Sequence, residues 1–326
     1  MLLKLFVMVG NFVLTIDVEN ISLYRNRGDE HTQNLMCEVG LPRIINLLAK
    51  YDINGTFYFT GMFSEKSPEA VEYVKDHGHE IACHAYDHSV SKAFDLLSYE
   101  QQVKELKKAK NTIESCGGKV TSFRAPALRI NEHTVKALEK VGFKTDSSVA
   151  SQRFDGPFSY GMKRKLKWLS APRKPYMMSY ESPMKAGDSN ILEIPISAAL
   201  VPFIGNTMRI SPTLIKVVRK YLYLESKMID KPIVFLFHPG ECLDPEQKII
   251  ATRRSNNLSE YIFADLIRQR MKIRNMGEKS IVLLEETIKS GMNYGFEFVN
   301  MKEYAKNYKE GVGLHEYKVG NLEECK

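Results

Sequence analysis

The sequence predicts an α/β fold in which parallel strands alternate with crossover helices. Short apolar runs, at residues 12–18, 56–60, 80–83 and 233–237, alternate with stretches whose apolar residues recur at helical spacing. The run 233–237 is almost wholly apolar, which is typical of a parallel strand buried on both faces of a sheet. Repeated strand–helix alternation indicates a parallel sheet, and a count of about seven units favours a barrel over an open sheet.

Several predicted helices have recognisable ends. Ser67 is followed by Pro68, so it is expected to cap a helix that ends at Gly78. Asn131 is expected to be the N-cap of a later helix that ends at Gly142. Asparagine is favoured at the N-cap of helices, and glycine is favoured just after their C-terminal end.

We expect a single domain over residues 1–326, with the catalytic barrel over about 12–300. Two stretches interrupt the alternation. Residues 152–190 form a predicted long loop rich in Pro, Tyr, Lys and Arg, and loops of this length are usually functional or disordered. Residues 243–277 are polar and charged, and are expected to be a helical excursion.

The composition is that of a soluble globular protein, with 44% hydrophobic and 26% charged residues. No apolar run approaches the roughly 20 residues of a membrane-spanning helix. The apolar segment 1–14 is short and is followed by Asp17, so we expect a strand and not a signal peptide. The 5 scattered cysteines favour reduced thiols in a cytoplasmic protein. The net charge of +7 is compatible with an anionic substrate or with peripheral membrane contact.

His84 and His88 are candidate metal ligands. Four residues apart, they are expected on one face of a helical turn, where both imidazoles can reach one ion. They follow a predicted strand, and in a barrel the chemistry lies at that end of the strands. A histidine pair of this kind is weak evidence by itself.

Asp17 and Glu19 end the first predicted strand. Separated by one residue, their carboxylates point to the same side of an extended chain, so one can bind a metal while the other takes a proton from water. With His84 and His88, Glu19 would complete a two-histidine, one-carboxylate site with open positions.

Arg124 and His238 also follow predicted strands. A guanidinium at Arg124 could hold a base carboxylate ionised, and His238 is well placed as a general acid. Singly, each residue has another reading: a carboxylate could cap a helix, Arg124 could pair with a surface acid, and His238 could be an ordinary core histidine. Four such groups at successive strand ends are less easily explained by chance.

Together the motifs resemble those of the polysaccharide deacetylase family, which carries the NodB homology domain and is related to carbohydrate esterase family 4. The matching segments, in order, are Thr15–Glu19, Gly78–Ile81 with His84 and His88, Arg124-Ala125-Pro126, Asp146-Ser147-Ser148 at the expected fourth place, and Phe237-His238. The stretches 38–43 and 56–59 also resemble members with an Asp-x-Asp first motif. The resemblance covers about residues 12–300 and implies a distorted (β/α)7 barrel.

The first motif departs from the usual pattern of adjacent aspartates, because Val18 separates Asp17 from Glu19. The Asp-x-Asp members imply that Glu19 binds the metal with His84 and His88, and that Asp17 is the base. The reverse assignment stays open, since glutamate is one methylene longer. The implied cofactor is a divalent metal, zinc being the first expectation.

The resemblance implies a metal-dependent hydrolase that removes an N-acyl group, such as acetyl, from an amino sugar. The sugar would belong to a polysaccharide or to a lipid-linked or nucleotide-linked precursor. Asp17 would be the base, Arg124 its orienting partner, and His238 the acid that protonates the leaving amine. The expected substrate contacts are Pro126, Asp146, Glu241 and Trp168.

Three of these contacts have alternatives. Asp146 could hydrogen-bond His238 or cap a turn with Ser147 and Ser148. Glu241 could line the pocket or be a loop acid. Trp168, in a stretch of cations and aromatics, could stack on a sugar or lie in a solvated loop.

Two other functions stay open at this point. Metal-free relatives hydrolyse small cyclic amides or ureides, as allantoinase-like enzymes do, and the altered first motif is compatible with that chemistry. A catalytically silent carbohydrate-binding relative is the second, although the complete set of chemical groups argues against it. We expect a carbohydrate substrate, anionic or lipid-linked, and neither nucleic-acid binding nor a transmembrane segment, since no nucleic-acid motif accompanies the charge.

Overall fold

The computed structural model describes residues 10–24, 27–154, 166–244, 258 and 261–311. The strands are β1 Gly10–Val18, β2 Ile21–Ser22, β3 Arg27–Gly28, β4 Thr56–Phe59, β5 Glu80–Cys83, β6 Ser122–Phe123, β7 Thr145–Asp146, β8 Tyr176–Met177, β9 Leu192–Glu193, β10 Ala198–Ala199, β11 Val201–Pro202, β12 Ile233–Phe237 and β13 Phe296–Phe298. The helices are α1 Glu30–Leu35, α2 Leu41–Lys50, α3 Gly61–Lys66, α4 Pro68–Asp76, α5 Tyr99–Gly117, α6 Glu132–Val141, α7 Gly205–Ile210, α8 Pro212–Ile229, α9 Arg268–Lys272, α10 Glu278–Asn293 and α11 over 301–311.

The main sheet confirms the predicted α/β class. Its order is β12-β1-β4-β5-β6-β7-β9-β8, and every neighbouring pair from β12 to β9 is parallel. Strand β8 is an antiparallel edge, and β13 pairs with the beginning of β1. The seven parallel strands from β12 to β9 form a curled half-barrel with helical crossovers, in agreement with a distorted (β/α)7 barrel.

The central strands are buried because they are apolar on both faces. Every residue of β12 is buried, and Asn11 is the only residue of β1 that is not. The hydroxyl of Thr15 on β1 donates to the carbonyl of Phe235 at 2.8 Å, so this buried polar side chain is satisfied. These two strands place Asp17 and His238 side by side at their carboxyl ends.

The predicted helix caps are present. Asn131 accepts a hydrogen bond from the first turn of α6 and forms a capping box with Thr134. Gly142 ends that helix in the left-handed conformation, at φ 89°. Ser67 and Pro68 begin α4 as expected, although the Ser67 side chain makes no capping hydrogen bond.

The two stretches predicted to interrupt the strand–helix alternation, 152–190 and 243–277, lie partly within the described residues. The described part of 152–190 contains a short 3-10 helix, Leu166–Ser170, and the edge strand β8, so it is not loop throughout. Within 243–277, the segment Tyr261–Ile267 is a π-helix that leads into α9, and residues 245–257 lie outside the described residues. Among the described helices, none is both long and apolar enough to cross a bilayer. The single-domain assignment stays a prediction.

Candidate active site

The predicted strand-end groups meet in one cavity of about 230 Å³. Asp17 and Glu19 at the end of β1, His84 and His88 after β5, and His238 after β12 all line it. The carboxyl ends of parallel strands lie at the same edge of a sheet, so residues far apart in sequence converge there.

The His84–His88 segment is not the helical turn that was expected. His84 directly follows β5, and the chain turns at Ala85, whose φ is +59°. The amides of Gly61 and Met62 donate to the carbonyls of Ala85 and Tyr86, which holds the segment as an irregular loop. The two imidazoles still converge, with ring centroids 5.8 Å apart, because the sharp turn replaces the helical one.

Glu19, His84 and His88 form a cluster that fits a divalent metal. Their candidate ligand atoms all lie within 4.8 Å of one another. Glu19 Oε2 is 3.0 Å from His88 Nε2 and 3.9 Å from His84 Nε2. This oxygen is buried and accepts no hydrogen bond of acceptable geometry from the described residues. A shared cation would satisfy such an atom.

The backbone sets the tautomer of His84. Its Nδ1 lies 2.9 Å from the carbonyl oxygen of Arg124, which can only accept, so the Nδ1–H donates there. The lone pair of Nε2 therefore faces the cluster, the arrangement that metal-binding histidines usually have. Burial lowers the pKa of His84, which keeps the ring neutral and able to bind a cation.

Asp17 and Arg124 form a buried ion pair beneath the cluster. Arg124 Nη1 donates to Asp17 Oδ1 at 2.7 Å. The guanidinium also donates to the hydroxyls of Thr15 and Ser147, each at 2.9 Å, and to the carbonyl of Ser147, also at 2.9 Å. Arg124 is fully buried and stacks over the ring of Tyr58, so its position is fixed on every side.

These contacts keep Asp17 ionised and distinguish it from Glu19. Burial by itself would raise the pKa of Asp17, but Arg124, together with the charges of His84 and His238, outweighs it and the pKa lies below the usual value. Burial would likewise raise the pKa of Glu19, and the neighbouring histidines, His88 first, bring it below the usual value. Because Arg124 engages Asp17 and leaves Glu19 Oε2 without a hydrogen bond, the geometry favours Glu19 as the carboxylate ligand.

His238 is oriented by Glu241 and not by Asp146. His238 Nδ1 lies 2.8 Å from Glu241 Oε1, and Arg209 Nε donates to Glu241 Oε2 at 2.6 Å. Burial alone would lower the pKa of His238, but the hydrogen bond and charge of Glu241, together with the charges of Glu19 and Asp17, raise it above the usual value. Glu241 is wholly buried, so it is neither a pocket-lining group nor an exposed loop acid.

Of the two arrangements expected for Asp146, the structure has the local one and not the bond to His238. Asp146 accepts a hydrogen bond from Ser148, which matches the local alternative, and it lies directly across from Glu193 in the parallel pair β7–β9. Asp146 Oδ2 and Glu193 Oε2 are both buried without another partner, so a shared proton would satisfy both. Burial raises the pKa of both carboxyls, that of Asp146 to about 7.

Of the two remaining expected substrate contacts, one lines the cavity and the other does not. Pro126 lines the cavity, whereas Trp168 is buried away from its wall with the guanidinium of Arg153 packed over the indole at 5.6 Å. The cavity wall also carries basic residues that the sequence analysis did not select: Arg129, Arg153, Arg268 and Lys272. Arg209 was missed as well. It lies far from every motif in the sequence, and no local pattern connects it with Glu241.

Comparisons with known proteins agree with this architecture. Residues 31–145 match the family model described as polysaccharide deacetylase. That range contains His84, His88 and Arg124, whereas the groups at the ends of β1 and β12 lie outside it.

Two curated relatives and one solved structure illustrate the similarity. The chain is 32% identical over 118 residues to a peptidoglycan deacetylase of Helicobacter pylori, covering 36% of this chain and 39% of that protein. It is 29% identical over 150 residues to a peptidoglycan deacetylase-like protein of Gibberella zeae, covering 42% and 43%. The matches thus span about two fifths of these relatives. A crystal structure of a polysaccharide deacetylase-type protein from Mycobacterium smegmatis superposes with a TM-score of 0.57 at 16% identity, over 93% of this chain and 92% of that one, which supports the fold.

Proposed function

We propose that this chain, which belongs to the polysaccharide deacetylase family, is a hydrolase that removes the acetyl group from an N-acetylated amino sugar. The observation that carries the proposal is one cavity in which a candidate metal triad, a buried carboxylate held by arginine, and a histidine held by glutamate face one another. Amide hydrolysis needs an activated water, a base and an acid, and these groups match those roles.

Glu19, His84 and His88 would hold a divalent metal, which we propose to be zinc. Two imidazoles and one carboxylate with open positions suit catalytic zinc. When bound, such an ion polarises a carbonyl and lowers the pKa of water. The buried, unsatisfied oxygen of Glu19 supports this assignment.

Asp17 is the proposed general base. Despite burial, its pKa is held low by Arg124 together with His84 and His238, so the carboxylate is available at neutral pH to accept a proton from the attacking water. Asp17 Oδ1 is engaged by Arg124 at 2.7 Å, while Oδ2 lies toward His84 Nε2 at 3.9 Å, on the cavity side of the pair. Oδ2 is therefore the oxygen that would receive the proton.

His238 is the proposed general acid. Glu241 occupies its Nδ1, which leaves Nε2 as the nitrogen that can donate to the leaving amine. The raised pKa keeps the ring protonated at a higher pH than an ordinary histidine. Base and acid thus have their pKa values pushed apart by different neighbours, which is how one site can supply both groups.

The substrate is proposed to be an N-acetylated glycan or glycan precursor with an anionic group. The names of the curated relatives refer to peptidoglycan, which supports an N-acetylated glycan as substrate. The anionic group is a proposal from the net positive charge of the chain, since Arg129 on the cavity wall already pairs with Asp95 at 2.7 Å. A lipid-linked precursor, in which phosphate joins sugar to lipid, would meet both conditions.

The proposal is tested by metal content and acetate release together. Purified wild type and Glu19→Ala are analysed for bound metal, then assayed on N-acetylglucosamine oligomers and peptidoglycan fragments. We expect about one equivalent of zinc in wild type, most of it lost from Glu19→Ala, with acetate release only from wild type. Arg270→Gln, an exposed change outside the site, serves as the matched control.

Two other results would replace the deacetylase proposal with a different function. Turnover of a ureide panel by metal-free protein, without acetate release from sugars, would replace the deacetylase proposal with cyclic amide hydrolysis. Saturable sugar binding without any turnover in metal-loaded wild type would identify a carbohydrate-binding relative.

A further inference from the structure

Helix α8 carries a second apolar face that the core does not use. Its inner face, with Ile215, Val218 and Leu222, is buried against the sheet. Its outer face carries Leu214, Val217, Tyr221, Leu224 and Met228, whose exposed fractions are 43%, 66%, 51%, 51% and 82%. A surface helix needs one apolar face to pack, so the outer one calls for a different explanation.

The outer apolar residues form a continuous stripe. Their spacing alternates between three and four residues, which aligns side chains along one line of a helix. At about 100° per residue the five lie within a sector of about 80°, and they extend over about 21 Å of the helix axis. Singly exposed apolar residues are ordinary, but an ordered stripe of this length marks a contact surface.

Basic residues border this stripe on one side. Lys216, Lys220 and Lys227 are exposed and fall within an adjoining sector of about 40°. Lys216 pairs with Glu286 of α10 at 3.3 Å, so the positive edge comes from Lys220 and Lys227. The one acid within α8, Glu225, turns inward.

The inward position of Glu225 keeps the outer face free of carboxylates along the helix. Glu225 is bound by Arg173 and by Lys231, whose Nζ lies 2.7 Å away. Asp230, the first exposed acid on this side, lies beyond the last turn as the C-cap. The face therefore combines an apolar stripe with a cationic edge.

We propose that the outer face of α8 docks on the surface of an anionic lipid membrane. The apolar stripe would enter the boundary between headgroups and acyl chains, and the lysines would contact headgroup phosphates. Tyr221 suits that boundary, since its ring is apolar and its hydroxyl polar. A second copy of the chain paired antiparallel along this face fits less well, because the two-fold axis would set these lysines against the same lysines. The inference does not depend on the proposed activity.

The test is co-sedimentation with vesicles of phosphatidylcholine alone or mixed with phosphatidylglycerol. Wild type should bind the mixed vesicles and release at high salt. Lys220→Gln with Lys227→Gln should weaken binding about 25-fold, at about fivefold for each lysine near an anionic surface. Val217→Gln with Leu224→Gln should weaken it at least about tenfold. Lys104→Gln with Lys107→Gln, two exposed lysines of α5, should leave binding unchanged.

Each remaining outcome decides against the proposal. Equal binding to both vesicle types, an equal loss in the α5 control, or no binding by wild type would overturn it. A lipid-free dimer that becomes monomeric in the Val217/Leu224 variant would assign the face to a second copy. Circular dichroism melts of all variants must match wild type, so that weakened binding reflects the face and not unfolding.

Discussion

His238 Nδ1 and Glu241 Oε1 lie 2.8 Å apart, three residues apart in the chain, and Glu241 is wholly buried. The bend of the chain at Pro239 and Gly240 brings the carboxylate back beneath the ring. Arg209, also wholly buried, neutralises the other oxygen at 2.6 Å. The pair fixes both the orientation and the proton affinity of the proposed acid.

Glu241→Gln should narrow the pH range of activity from the alkaline side. The amide keeps the hydrogen-bonding shape but removes the charge that raises the pKa of His238, so His238 should lose its proton at lower pH. The measurement is kcat and KM against pH, in which kcat falls and the alkaline limb shifts down while KM changes little. An unshifted alkaline limb would show that Glu241 does not set this pKa.

Gly205→Ala should displace Glu241 from His238 by steric overlap, with both residues of the pair left unchanged. A Cβ at Gly205 would collide with the carboxylate of Glu241 and the ring of Phe237. Overpacking of a filled interior usually costs about 1–3 kcal/mol, so we expect that loss of unfolding free energy and the same alkaline shift. Gly311→Ala, where a Cβ meets open space, is the control and should change neither. If Gly205→Ala left the pH profile as in wild type, the side chain of Glu241 would have more room than the structure gives it.

Asp17→Asn should lower kcat strongly and retain the metal. Asparagine cannot accept the proton of the attacking water, so kcat should fall at least about a hundredfold. Metal content should stay near that of wild type, because Arg124 engages Asp17 while the candidate ligand cluster contains Glu19. Loss of metal from Asp17→Asn, together with its retention in Glu19→Ala, would reverse the two assignments.

Arg124→Gln should be one of the most destabilising substitutions in the chain. Removing the guanidinium leaves Asp17 buried without its counter-charge and four hydrogen bonds unmade. Breaking a buried pair from one side costs about 3–5 kcal/mol, to be measured by urea denaturation. Arg124→Lys keeps the charge and should lose less. Arg270→Gln, on an exposed surface, should stay within about 0.5 kcal/mol of wild type. A loss below about 1 kcal/mol for Arg124→Gln would mean that water reaches Asp17.

Glu193→Gln should flatten the dependence of stability on pH. Burial raises the pKa of both Asp146 and Glu193, so the folded protein binds the shared proton more tightly than the unfolded chain does. In wild type the contribution of this pair to the free energy of unfolding is therefore greatest below the ordinary carboxyl pKa, and it declines as the pH rises through about 7. The amide can donate to ionised Asp146, so the unfolding free energy of the variant should fall less than that of wild type between pH 5 and pH 8. We expect the difference between the two proteins to shift by about 1 kcal/mol in favour of the variant, measured by urea denaturation at both pH values. An unchanged pH slope would exclude proton sharing.

The sequence by itself determined the fold class and the main groups of the site. Strand and helix periodicities depend on local spacing, which is why β5 and β12 have the bounds that the apolar runs predict. The carboxyl ends of parallel strands share one edge, so motifs at strand ends could be assigned to one cavity without coordinates. The helical turn for His84 and His88 was wrong, because the left-handed backbone of Ala85 leaves no signal in the spacing.

Only the tertiary structure decided which groups support the site. Arg209 reaches Glu241 across 32 residues, and Glu193 meets Asp146 across 47, through contacts between elements that no local pattern encodes. The same limit applies to α8, whose inner and outer stripes are both apolar in sequence. In the folded structure the inner stripe packs on the sheet, because a helix can present only one face to a core.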